Sequence, residues 1–147
     1  MRIDGLKYGI CVGPQLGDDG EVTGNSYVDL FGLSDVMFLF ITGVMDADIG
    51  STLATTPPLI EQCDTTNGEY TAVPSAALSD VIQDTESNTL RAIRVDLTKA
   101  HKRYMKVQTP AVANGTTGSN LAVIWVGDPA GKPESAADRG LVEYVCA

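Results

Sequence analysis

The strongest feature of the hydrophobic pattern is an unbroken apolar run, Val36 to Ile41, VMFLFI, closed by Thr42-Gly43. It is short for a helix and rich in β-branched and aromatic side chains, so it reads as a strand buried on both faces. Val36, Phe38 and Phe40 point one way, and Met37, Leu39 and Ile41 the other. A one-sided hairpin would leave one of these triplets in water. The strand therefore requires a sheet on one side and further cover, a second sheet or a partner chain, on the other.

Shorter segments repeat the strand pattern on either side of it. Leu59–Cys63 and Glu69–Val73 flank the turn residues Thr65-Thr66-Asn67-Gly68 and predict a hairpin. Ala76–Gln83 fits a short helix or a loop. Asn88–Leu97 predicts a strand with Ile93, Val95 and Leu97 inward and Arg94 and Asp96 outward. In Arg103–Thr109, Met105 and Val107 alternate with Tyr104, Lys106 and Gln108. Asn120–Gly127 is the last strong strand, with Trp125 on the face of Leu121 and Val123. Six or seven strands, polar turns and no sustained helical period predict an all-β antiparallel sandwich, jelly-roll-like in its economy.

The two ends differ from this middle. Residues 1–26 are rich in Gly and Asp, with one apolar patch from Tyr8 to Val12, and read as an extended N-terminal arm that holds at most one short strand and stands outside a self-contained core. The sandwich domain is expected over 27–127. From 128 to 147 the chain holds two prolines and small residues, then finishes Leu141-Val142-Glu143-Tyr144-Val145 before Cys146 and Ala147. A solvated tail rarely ends on such a run, so this C-terminal tail is expected to dock on its own sheet or on a neighbour. The linker Asp128–Gly140 spans on the order of 40 Å when extended, enough to reach an adjacent subunit.

Composition narrows the function classes. At 147 residues the chain fits one domain, which buries roughly 70% of its unfolded surface. Nineteen acidic against ten basic residues give a net charge of −9. That disfavours nucleic acid and anionic membranes as partners. No apolar run approaches the roughly 20 residues of a membrane span. The start, MRIDGLKYGICVG, lacks a basic segment followed by an apolar stretch, so no signal peptide is expected. Cys11, Cys63 and Cys146 are far apart and odd in number, without CxxC or a Cys/His cluster. Free thiols in a reducing cytoplasm are expected, not a disulfide framework or structural zinc.

Candidate chemistry is sparse. The single histidine, His101, lies in the basic turn Lys99-Ala100-His101-Lys102-Arg103, with no nucleophile or orienting carboxylate at a telling spacing. GxSxG, Walker and GxGxxG motifs are absent. Asp18-Asp19-Gly20 lacks the spaced oxygens of a calcium loop and reads as a turn. Asn114-Gly115-Thr116 matches a glycosylation sequon that a hairpin turn explains equally. Neither catalytic residues nor a cofactor or metal are expected. Candidate partner contacts are the apolar patch Tyr8, Ile10 and Val12, the cations Lys99, Lys102 and Arg103, and the tail residues Leu141, Val142, Tyr144 and Val145. A glycan-binding role would need exposed aromatics, which Tyr27, Tyr70, Tyr104 and Trp125 could supply. An enzyme with paired carboxylates is the third class, since many Asp residues fall in loops.

Three pieces carry a resemblance: VDLFGLSDVMFLF, the KRYMKV strand after a polar turn, and an apolar strand ending in GDP before a Pro-containing tail. Between Ser26 and Pro133 the chain resembles the small β-rich decoration, or cement, proteins encoded near the major capsid protein in tailed-bacteriophage genomes. The extension from Glu134 is longer than that pattern. The resemblance implies a non-catalytic virion protein made in the host cytoplasm. It implies binding to the major capsid protein on the outer surface of the head, often as a homotrimer.

Overall fold

The computed structural model describes residues 5–51 and 55–130. The tail contacts expected at Leu141, Val142, Tyr144 and Val145, with the tail itself beyond Ala130, lie outside the described residues. The strands are β1 (Lys7–Gly17), β2 (Gly20–Glu21), β3 (Val28–Asp29), β4 (Leu33–Thr42), β5 (Ile49–Ser51) and β6 (Leu59–Cys63). They continue as β7 (Thr71–Ala77), β8 (Leu90–Asp96), β9 (Tyr104–Val107), β10 (Pro110–Val112) and β11 (Ser119–Pro129). The described residues contain no α-helix. The Ala76–Gln83 segment is the end of β7 followed by loop.

The fold is all-β and sandwich-like. A first sheet has the order β1-β11-β4-β8, a second β3-β9-β6-β7, and a three-stranded sheet β2-β10-β5. All pairings are antiparallel. One core joins them. Val36, Phe38 and Phe40 of β4, Ile93 and Val95 of β8 and Leu121 and Val123 of β11 come from the first sheet. Val28, Ile60, Met105 and Val107 come from the second, with Ile49 and Val112 from the third. The inward sets expected for β8, β9 and β11 are those observed, and β6 and β7 pair as the expected hairpin.

The N-terminal arm requires correction. Residues 7–17 are not a separate arm: they form β1, which runs beside β11 from Lys7↔Gly127 to Gly17↔Ser119, with two register shifts. Cys11, Val12 and Val22 belong to the core. Glycine content hid this strand, yet glycine is what the packing needs. A Cβ at Gly9 would land on the indole of Trp125, its cross-strand neighbour. The irregular register explains why no clean alternation shows in the sequence.

Candidate interaction surfaces

The two faces of β4 meet different environments. Cross-strand partners share a face of the sheet, so the register defines the outer face of the first sheet. Met37, Leu39 and Ile41 on β4 stand beside Val126, Ile124 and Ala122 on β11. Tyr8 and Ile10 of β1 extend the row beyond β11, and Ala92 and Leu90 of β8 extend it beyond β4. None of these side chains belongs to the core cluster, and no other described strand pairs over them. Ile10 is 60% exposed and Leu90 63%. Charge is confined to one end, where Arg94 is ion-paired with Asp35 beside Asp128. A shallow pocket of about 160 Å³ opens there, between Leu6, Met37 and Val126. The opposite end holds a hollow of about 560 Å³ edged by Pro14, Leu16 and Ile41.

A second surface lies on the outer face of the second sheet. Strand β9 turns Met105 and Val107 into the core, which leaves Tyr104 and Lys106 outside. The Tyr104 ring meets Tyr27 edge-on, with centroids 5.4 Å apart. The Arg103 guanidinium stands 5.2 Å from the Tyr104 ring and 5.6 Å from Phe31. Asp29 holds that guanidinium through two oxygens, at 3.1 and 2.9 Å. Hydrogen bonding from Arg103, above all, keeps the Asp29 carboxyl below its ordinary range. Beside this group, Lys106 lies 4.3 Å over the Tyr70 ring and 3.3 Å from Glu61. The Tyr70 hydroxyl is buried without a hydrogen-bond partner among the described residues, and burial raises its pKa. Phe31 is 80% exposed and Tyr27 48%.

The expected contact residues divide among these environments. Tyr8 and Ile10 fall on the outer face of the first sheet, and Arg103 is the centre of the aromatic cluster. Lys99 is exposed, and Lys102 is half-buried with its backbone N–H donated to Gln62 Oε1 at 3.0 Å. Val12 is corrected: it is fully buried opposite Val123 and is a core residue, because the register shift after Ile10 turns it inward. Phe31 was missed by sequence reasoning. Its signal was an aromatic in a Leu30-Phe31-Gly32 turn, which reads as core until the fold places it outside.

The remaining polar groups act as local ties. Asp46 accepts the Thr116 and Thr117 backbone N–H groups and the Thr117 hydroxyl. These bonds, led by the Thr117 N–H, lower its pKa. Asp18 accepts the Gly115 N–H at 2.9 Å. A cleft of about 410 Å³ between β7 and the turn after β8 contains Ser75, Asp96 and His101. A Ser-His-Asp relay needs the carboxylate on the imidazole. Here His101 Nδ1 lies 2.8 Å from the Lys99 carbonyl, and Asp96 is bound to Thr98. Among the described residues no three His, Cys, Asp or Glu side chains are grouped to hold a metal. Cys11 and Cys63 are free, buried thiols. Comparison with family models, curated proteins and solved structures finds no match to this chain.

Proposed function

We propose that this protein is a structural coat component, a decoration protein that sits on the outside of a tailed-phage head and ties capsid subunits together. The observation that carries the reading is the pair of contact surfaces on two different sheets. One is flat and apolar, and the other is an aromatic and arginine cluster. A cement protein must hold two things at once, and two separate surfaces allow it. Tyr and Arg are enriched among the hot spots that carry binding energy at protein interfaces, and Phe is enriched in interface composition. Arg103, exposed at the centre of that cluster even as Asp29 holds it, suits a carboxylate-bearing partner such as the major capsid protein. A charge of −9 keeps the rest of the coat soluble. Repetition over a shell turns modest contacts into avidity.

The test is co-sedimentation with heads of the phage whose genome encodes the protein. Saturable binding is expected, weakened roughly tenfold or more by Arg103→Ala, a truncation of the kind that defines an interface hot spot. Heads that stay bare at high protein concentration refute the reading. The aromatic cluster also favours a second reading, a tail or baseplate module binding host glycan. Tyr27, Tyr70 and Tyr104 lie on one sheet face, whereas Trp125 turns inward beside Gly9. Glycan-array binding that disappears in Tyr27→Ala, with no capsid binding, would favour that reading over the first.

A further inference from the structure

We infer that Asn67 is a site of spontaneous deamidation, in which the Gly68 backbone nitrogen displaces ammonia from the Asn67 side chain. The sequence holds two Asn-Gly pairs, Asn67-Gly68 and Asn114-Gly115. Asparagine is a thermolabile residue, and a following glycine suits it to this reaction. Glycine has no Cβ to shield its nitrogen, and it leaves the backbone free to bring that nitrogen onto the side-chain carbonyl. The Gly68 nitrogen bonds to Asn67 Cγ, the Cγ–Nδ2 bond breaks, and Nδ2 leaves as ammonia with the proton that the Gly68 N–H gives up. A cyclic succinimide results, and water opens it. Opening at the side-chain carbonyl yields Asp, and opening at the main-chain carbonyl yields isoaspartate, with the chain rerouted through Cβ. Water is consumed, ammonia is released, and nothing is oxidised or reduced.

Both pairs lie in connections between strands, and both asparagines are exposed. Their glycine nitrogens differ. The attack needs a glycine N–H that is free and can lose its proton. The Gly115 N–H donates to Asp18 Oδ1 at 2.9 Å. That carboxylate holds the proton in place, and its negative charge opposes the amide anion that the attack requires. The next two residues are tied as well, the Thr116 and Thr117 N–H groups both donating to Asp46 Oδ2. At the other pair, neither the Gly68 N–H nor the Asn67 side chain has a hydrogen-bond partner among the described residues. The remaining asparagines, Asn25, Asn88 and Asn120, each precede a residue with a side chain. The Asn25 and Asn120 amides are also engaged, donating to the Val107 and Val44 carbonyls. Asn67 thus combines a small neighbour, an exposed position and an unengaged nitrogen. Its connection leads into Tyr70, whose ring lies 4.3 Å from the Lys106 ammonium. Conversion therefore places a new carboxylate, or an extra backbone methylene, at the margin of the aromatic and arginine cluster.

The chemistry is independent of what the protein binds, so it is tested on the full chain alone. Peptide mapping of protein kept warm in mildly alkaline buffer reads the conversion, and isoaspartate marks it apart from an encoded Asp. Asn67 is expected to convert first, with Asn114 slower by about tenfold or more, the factor set by breaking a hydrogen bond to a charged acceptor. In urea the two pairs are expected to convert at similar rates, because the turn that protects Asn114 is gone. Asp18→Ala, with the β-type circular dichroism of the parent, is expected to bring Asn114 close to the rate of Asn67. An Asn67 that stays intact in the folded chain while the unfolded chain converts overturns the inference. So does an Asn114 that converts as fast as Asn67 in the folded parent, and so does an Asp18→Ala chain in which Asn114 stays protected.

Discussion

At the scale of single residues, burial and hydrogen bonding decide which groups are reactive. Cys11 is packed in the core, and burial pushes its pKa up to about 12. The thiolate is the nucleophile, so Cys11 is expected to resist alkylation at pH 8 in the native protein and to react once the chain is unfolded. Peptide mapping after iodoacetamide treatment reads this directly; native labelling of Cys11 would contradict it. Asp29 shows the opposite shift. Its folded pKa is depressed below the ordinary 3.8, chiefly by the Arg103 hydrogen bond. Its stabilising contribution is therefore present above pH 3.8 and lost as pH falls through the lower, folded value. The pair is exposed and solvent-screened, so the contribution is small. Thermal unfolding of the parent and of Arg103→Ala, compared at pH 7 and near pH 2, should show the stability gap closing at low pH. A gap of equal size at both pH values would assign the loss to packing on Phe31 and Tyr104 instead.

At the scale of elements, β4 has two faces that its unbroken apolar run does not distinguish. Phe38 is fully buried, whereas Leu39, next in the chain, lies on the outer face. Phe38→Ala is expected to cost about 3–5 kcal/mol. Leu39→Ala should cost no more than about 1 kcal/mol, because its lost burial is only partial. Urea unfolding at low protein concentration distinguishes the two, and equal losses would place both faces of β4 in the core. Strands β8 and β9 were legible because a buried face against solvent writes itself as period two, and β4 and β11 because a short unbroken apolar run reads as a strand. The hairpin of β6 and β7 was legible from its turn. Strand β1 was legible only as a short strand on an arm, since its glycines and register shifts suppress alternation and hide its length and its place in the core. Not legible at all were β2, β3, β5 and β10, which have two or three residues each and owe their conformation to tertiary pairing. The aromatic cluster was legible only as separate residues. Tyr27, Phe31, Tyr70 and Arg103 come from different segments, and nothing local in the sequence joins them.

At the scale of the whole molecule, net charge governs association. Copies that each carry −9 repel over the Debye length, about 10 Å at 0.1 M salt and 3 Å at 1 M. Binding of a partner at the aromatic and arginine cluster is expected to weaken as salt rises, since screening weakens a contact between Arg103 and a carboxylate. Co-sedimentation with heads that is unchanged between low and moderate sodium chloride would contradict this.

The strand order of the first sheet has a consequence for how the chain is made. Strand β11 emerges from the ribosome after every other described strand, yet it occupies an inner position, with β1 on one side and β4 on the other. Until it arrives, β1 has no partner in that sheet, and β4 pairs only with β8. The most hydrophobic strand of the protein is then an open edge on a nascent chain. Closure waits on contacts between segments from opposite ends of the described sequence, the kind of topology that folds slowly and exposes edges meanwhile. During synthesis β4 is a template that any extended apolar segment could join. The interval between the completion of β8 and the arrival of β11 is thus the stretch of synthesis in which β4 keeps an open edge.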